Sequence, residues 1–156
     1  MFKTLDEIAT LSQKLYDSAS QTIETVSFMS VEIADDDRKS PAAVEYINGS
    51  ILIKTAPAIY NMELLVPQEF LENISQNLAV PGTDSEAKGY MVIDIVLELL
   101  NTVAGSLMRS TEMLVGPFIL EIPEFEIGKP ISRNAFCIKK YLVDDKHLIT
   151  VAITKI

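Results

Sequence analysis

The sequence predicts an α+β fold in which an antiparallel sheet carries two long helices packed on one face. Two long segments repeat apolar residues every three or four positions, which is the spacing of a helix that buries one side. The β-prone segments come in groups after the long helices and lack the regular alternation of a parallel doubly wound sheet. At 156 residues the chain suits one core, and we treat 1–156 as a single domain.

The first half begins with a predicted helix and continues in strands. The apolar stripe of the helix consists of Leu5, Ile8, Leu11, Leu15, Ile23 and Val26. A strand over 28–33 and a charged loop over 35–41 follow. The pair Asn48-Gly49 lies between two β-prone runs and predicts a hairpin turn, because Asn and Gly tolerate the positive φ angles of a type I′ turn.

The middle of the chain adds a further strand over 59–67 and a short helix. Pro67 begins this helix, and Pro81-Gly82 follows its end.

The second half repeats the plan of a long helix followed by strands. This helix runs over 85–110, with Thr83 or Asp84 as its N-cap. The strands are FILEIPEFEI, NAFCIKKYLV and HLITVAITKI, and the acidic turn over 144–146 joins the last two as a hairpin. Because each half is a long helix plus a hairpin, the sequence suggests an internal repeat.

Charge and composition exclude several classes of protein. The net charge of −9, with no cluster of basic residues beyond Lys139-Lys140, argues against nucleic-acid binding. Asp94 and Glu98 interrupt the longest apolar run, so we expect no membrane-spanning helix, and residues 1–20 do not have the pattern of a secretory leader. A single cysteine fits a reducing compartment. We therefore expect a cytoplasmic protein without a membrane or nucleic-acid partner.

The same composition leaves little for a metal centre or a nucleophilic hydrolase. The chain has one cysteine and one histidine, and His147 follows the turn-like 144–146, where we expect it to be exposed. No G-x-S-x-G motif occurs, so a Ser–His–Asp hydrolase is not indicated. We predict no metal site on this chain.

The second long helix carries a polar stripe on an otherwise apolar surface. Asp94, Glu98, Asn101 and Gly105 follow one another at intervals of four, three and four, which places them on one narrow arc. The stripe is either the solvated side of a core helix or a surface that faces a partner. Its narrowness, the poor helix former Asn101 and the bare backbone of Gly105 favour the partner.

The chemistry of the stripe points to a reaction shared with another protein. Two carboxylates at helix spacing, Asp94 and Glu98, have no third catalytic group and too few oxygens for a metal site. The amide of Asn101 both donates and accepts hydrogen bonds, so it can orient a water near a phosphoryl group without adding negative charge. The sequence contains no phosphate-binding loop. If Asn101 orients a hydrolytic water, the phosphate and its metal come from a partner.

The pattern Asp94-x-x-x-Glu98-x-x-Asn101, followed after 21 residues by Pro123, resembles the signature of the CheC/CheX/FliY chemotaxis phosphatases. The similarity is strongest over 90–130 and most like CheX. A second Glu-x-x-Asn match at 45–48 lies on the predicted hairpin, where its ends point to opposite faces, so it is not equivalent. The first helix lacks the motif, so one site per chain is expected.

The resemblance implies a phosphatase that dephosphorylates a phosphorylated CheY-like response regulator. By this resemblance Asn101 orients the attacking water and Glu98 contacts the active-site Lys of the regulator. Asp94, Gly105 and Pro123 are auxiliary signature positions, of which Pro123 is structural. The chain needs no cofactor of its own, because the regulator carries the Mg²⁺, and a homodimer is implied.

Two other functions remain open at this stage. The first is a non-catalytic CheC-like interaction domain of a chemotaxis or flagellar-switch assembly. The second is a small-molecule binding module, which has only the apolar core in its favour. Intact Glu98 and Asn101 favour the phosphatase over both.

Overall fold

The computed structural model describes residues 5–35, 38–39, 44–56, 58–78 and 85–156 and confirms the predicted α+β class. The helices are α1 (Leu5–Ser27), α2 (Gln68–Leu78) and α3 (Ser85–Val115). The strands are β1 (Val31–Ala34), β2 (Tyr46–Thr55), β3 (Ile59–Pro67), β4 (Phe118–Leu120), β5 (Glu124–Ile127), β6 (Cys137–Val143) and β7 (His147–Lys155). The predicted N-cap at Thr83 or Asp84, Pro81-Gly82 and part of the charged loop lie outside the described residues.

The strands form one antiparallel sheet in the order β1-β6-β7-β3-β2-β4, and β5 also pairs with β2. β1, β2 and β3 of the first half correspond to β4/β5, β6 and β7 of the second half. If each strand is exchanged for its counterpart, the same order results, read in the opposite direction. Each half therefore places its first strand beside the hairpin of the other half. This arrangement agrees with the internal repeat that the sequence suggested.

The helices cover one face of the sheet and enclose the core. α1 packs on β6, α3 packs on β2, and the two helices contact each other. α3 extends five residues beyond the predicted end at Ser110. Its segment Met91–Thr111 is long and apolar enough to cross a membrane by length and composition, but more than half of it is buried inside the fold. It is the central helix of the core.

The predicted turn at Asn48-Gly49 is wrong, because both residues lie inside β2 and pair with Leu65 and Leu64 of β3. A Cβ on Gly49 would lie 3.3 Å from Cδ2 of Leu100 and 3.4 Å from Cγ2 of Val96. The glycine therefore lies where α3 comes close to the sheet, and it does not form a turn.

Asn48 points to the opposite face of the sheet, where it is buried. Its Nδ2 donates to Oε1 of the buried Glu63 at 3.2 Å and lies 3.2 and 3.3 Å from the backbone oxygens of Lys129 and Pro130. The second oxygen of Glu63 accepts a bond from the backbone N–H of Ser132 at 3.1 Å. This network holds the β5–β6 connection against the back of the sheet, which is the face that lies away from the helices.

The predicted hairpin between β6 and β7 is confirmed. Asp144 and Asp145 both have positive φ, 53° and 54°, and the N–H of Lys146 donates to the carbonyl of Val143 at 3.1 Å. Asp is among the few non-glycine residues that tolerate this region, which is why the acidic turn was recognisable.

Candidate functional site

The polar stripe lies on the outer surface of α3. At about 100° per residue its four members span an arc of about 60°, and Glu98 and Asn101 lie about 4.5 Å apart along the axis. Asp94, Glu98 and Asn101 are exposed, while their neighbours Leu99 and Leu100 are almost wholly buried. Both interpretations of the stripe predict this exposure. The choice between them rests on what the side chains do.

The two candidate catalytic side chains differ in how they are held. Oε1 of Glu98 accepts a hydrogen bond from the hydroxyl of Thr102 at 3.3 Å, one turn later on the same helix. The amide of Asn101 makes no hydrogen bond with any residue that the structure describes. Asn101 therefore keeps its donor and its acceptor exposed, while its backbone is fixed by a helix packed in the core.

Gly105 is the last residue of the stripe. The sequence led us to expect bare backbone there, but the structure shows that the backbone is covered. The side chain of Arg109 folds back over it, so that a Cβ on Gly105 would lie 3.2 Å from Nη1 of Arg109. Helical side chains lean toward the N-terminus, and Arg109 thus covers the turn that precedes it. The small residue admits a guanidinium of the same chain to the end of the stripe.

Pro123 lies at a break in the strand beside α3. Leu120 of β4 pairs with Ile53, and Glu124 of β5 pairs with Ser50. Three residues thus face only two of β2, which is a bulge. Proline has no N–H for a ladder bond, which suits this position and separates the predicted single strand into β4 and β5.

The structure places Asp94, Glu98, Asn101 and Gly105 on one surface, while Pro123 lies in the neighbouring β4–β5 connection. Among the described residues no group of three or more His, Cys, Asp or Glu side chains could hold a metal ion. The site offers two carboxylates, an amide and a guanidinium, which together can bind and orient a small molecule such as water.

Two features of the site and one residue outside it were missed at the sequence level. Thr102 and Arg109 are partners at i+4 from Glu98 and Gly105, a spacing that was visible in the sequence. His147, expected to be exposed, is instead buried, and its ring lies 5.5 Å from that of Phe70. It is the first residue of β7, and its side chain points into the helix-covered face.

No family model matches this chain, and no curated protein matches its sequence. Solved structures share its fold. A chain in the crystal structure of the CheX-CheY-BeF3-Mg²⁺ complex from Borrelia burgdorferi is 16% identical, with a TM-score of 0.73 over 92% of this chain and 96% of that one. Chemotaxis protein CheX from Vibrio vulnificus is 18% identical, with a TM-score of 0.67 over 94% and 97%.

A third solved structure, that of FliY, shares the fold. FliY from Thermotoga maritima is 14% identical, with a TM-score of 0.62 over 99% of this chain and 92% of that one. The chain has the fold shared by CheX, CheC-like and FliY chemotaxis proteins, as the signature implied.

Proposed function

We propose that this chain is a phosphatase that hydrolyses the aspartyl phosphate of a CheY-like response regulator. The observation that carries the proposal is Asn101. Its amide is exposed, makes no hydrogen bond within the described part of the chain, and stands one turn from Glu98 on a core-packed helix. Asn is a poor helix former, and a helix that only needed a solvated side more often carries Lys, Glu or Gln at such a position.

In the proposed reaction the amide of Asn101 hydrogen-bonds the attacking water and aims it in line with the acyl phosphate. The water oxygen bonds to phosphorus as the bond from phosphorus to the aspartyl oxygen breaks, which yields the free carboxylate and H₂PO₄⁻. Glu98 binds the active-site Lys of the regulator and fixes the approach, and Thr102 holds Glu98 in place. The Mg²⁺ of the regulator neutralises phosphoryl charge. This is catalysis by positioning, since the nucleophile is a water and not a side chain of this protein.

The partner, the compartment and the assembly form part of the same proposal. A fold relative is found in a complex with CheY, BeF3 and Mg²⁺, which supports a CheY-type partner here. Such regulators are cytoplasmic, and so, we propose, is this chain. We also propose that the chain forms a homodimer, as the resemblance to CheX implies.

The test is the rate of phosphate release from a CheY-type regulator of the same genome, phosphorylated with acetyl phosphate. Asn101→Ala should lower the rate at saturation by about 10²- to 10³-fold, the usual effect of removing one positioned hydrogen-bonding group. Glu98→Ala should mainly raise KM, because the docking contact is lost. Asn134→Ala is the matched control, since it removes another exposed amide, in the β5–β6 connection.

Three results would contradict the proposal in different ways. If the wild-type protein accelerates phosphate release from none of the regulators, it is not a phosphatase. If it binds them without accelerating release, the chain is an interaction domain. If Asn101→Ala is as active as wild type, Asn101 does not position the water.

A further inference from the structure

An apolar ridge borders the polar stripe. Phe125 and Ile127 of β5, which we name the β5 ridge, are 42% and 62% exposed. Both are large side chains on a strand of only four residues at the margin of the sheet. Exposed apolar side chains at successive same-face positions of a strand are a common mark of a contact surface.

The bulge at Pro123 determines which face of the sheet carries the ridge. With three residues opposite two, Phe125 pairs with Gly49 and Ile127 pairs with Ile47. Paired residues in an antiparallel ladder point to the same face, and Ile47 and Gly49 face the helices. Without the extra residue the alternation would be reversed, and the ridge would lie on the back of the sheet.

The ridge lies next to the Asn101 side of α3. A Cβ on Gly49, the partner of Phe125, would lie against Val96 and Leu100, and α3 contacts β5. The opposite flank of the helix faces α1, because the hydroxyl of Ser106 donates to that of Ser18 at 3.3 Å.

Helix geometry fixes the position of the amide between these two flanks. On the helical wheel Leu97 lies opposite Ser106, and Asn101 follows about 40° beyond Leu97. Leu97 is half-buried, so it continues the apolar surface from β5 to the amide. The ridge, Leu97 and the stripe form one surface.

We propose that the β5 ridge is the second half of the docking surface, and that its occupant is the receiver domain of the response regulator. The inference rests on the proposed function, in which Asn101 enters the active site of that domain. A helix of radius about 5 Å cannot insert there without bringing β5, its neighbour, against the rim of the same site. The ridge supplies affinity through buried apolar area, and Asn101 supplies the rate.

Charge favours a receiver domain over a second copy of this chain. Asp94 and Glu98 lie on the stripe beyond Leu97, Glu124 and Glu126 alternate with the ridge residues along β5, and each chain has a net charge of −9. Two copies meeting at the ridge would bring these carboxylates together, which is unfavourable. The active-site Lys of a regulator instead gives Glu98 an opposite charge.

The experiment compares two isoleucines of equal chemistry and nearly equal exposure on opposite faces. Ile127→Ser removes the ridge, and Ile119→Ser removes the side chain of Ile119, which is 65% exposed and pairs with Lys54 on the back of the neighbouring β4. Binding to a CheY-type regulator loaded with BeF3⁻ and Mg²⁺ is measured by calorimetry. KM and kcat are measured with the phosphorylated regulator, and the mass of each variant by sedimentation.

We expect Ile127→Ser to raise Kd and KM about tenfold, an ordinary loss for an interface anchor, with kcat unchanged. Phe125→Ser should act alike, and Ile119→Ser should change neither constant. If both ridge variants bind as tightly as wild type, the proposal is wrong and the phosphatase assignment stands. If they instead convert a dimer into a monomer with unchanged Kd, the ridge binds a second copy and the proposal is equally wrong. A wild-type protein that binds no regulator overturns both proposals.

Discussion

At the scale of single residues, the site depends on neighbours that hold the stripe without occupying it. Leu99 and Leu100 anchor α3 in the core, and Thr102 fixes the carboxylate of Glu98. The amide of Asn101 makes no hydrogen bond with the described residues, and in the proposed reaction it binds the attacking water. Helical periodicity alone placed these residues on one arc. The cover that Arg109 gives Gly105 depends on a side-chain rotamer, which periodicity does not determine.

Gly105→Ala distinguishes the effect of the glycine on the stability of α3 from its effect on the activity of the site. Alanine in a helix interior is favoured over glycine by roughly 1 kcal/mol, and the described atoms nearest to the new Cβ are those at the flexible end of Arg109. We therefore expect the free energy of unfolding in urea to rise by about 0.5–1 kcal/mol. A fall in stability would show that the backbone around Gly105 cannot accept a side chain.

The activity of Gly105→Ala tests whether the position of the Arg109 guanidinium matters to the reaction. The new methyl group displaces Arg109 from the end of the stripe without removing its charge. If Gly105→Ala is more stable yet dephosphorylates the regulator more slowly, the position of Arg109 matters to the reaction, and Arg109→Ala should lower the rate to the same extent.

At the scale of the elements, periodicity and turn chemistry predicted the helices and most strands, but they predicted a turn at Asn48-Gly49 where the structure has a strand. The pair has the composition of a type I′ turn, but tertiary contacts on both faces of β2 place it in mid-strand. Gly49 makes room for α3, and Asn48 binds Glu63 and the β5–β6 connection. Neither contact is local in sequence, so no short-range pattern could reveal it.

The buried network of Asn48 and Glu63 should be important for stability. Asn48→Ala leaves a buried carboxylate oxygen and two backbone carbonyls without this donor, which costs about 2–4 kcal/mol. Urea denaturation measures the loss. Ser50→Ala, half-buried on the same face of the same strand, is the control and should change stability by less than about 0.5 kcal/mol. Equal stability of Asn48→Ala and wild type would mean that the network contributes nothing.

At the scale of the whole molecule, the two halves interlock through their first strands, and α1 and α3 cover the resulting sheet. The repeat could be inferred from the order of helices and hairpins, because each half repeats the same local plan. The exchange of β1 and β4/β5 could not, since it depends on which edges meet in the folded sheet. The same limit applies to the β5 ridge, whose face depends on a bulge of one residue.

We expect the stability of the fold to depend on pH through His147, the single histidine. Burial lowers the pKa of His147 below its ordinary value of 6.5, and the charge of Lys146 lowers it further, while Glu69 and Asp144 oppose the shift. The unfolded chain therefore binds a proton at a higher pH than the folded chain does. The stability that neutral His147 contributes is fully present above about pH 6.5 and declines as the pH falls toward the lowered pKa.

Urea denaturation at pH 7.5, 6.5 and 5.5 tests this dependence. We expect the free energy of unfolding of the wild type to decrease across the lower interval, and His147→Phe to reduce that decrease, because phenylalanine keeps the ring against Phe70 and has no proton to bind. The same slope in both proteins would assign the effect to carboxyl groups such as Glu69, whose pKa the hydrogen bond from Lys146 lowers.

The proposed function depends on the claim that Asn101 acts on the hydrolytic water and not on docking. The most direct measurement combines two readings on one variant, the affinity of Asn101→Ala for the BeF3⁻- and Mg²⁺-loaded regulator and its single-turnover rate on the phosphorylated regulator. We predict an affinity within about threefold of wild type and a rate lower by about 10²-fold or more. An unchanged rate, or a loss of rate explained wholly by lost binding, would contradict the claim.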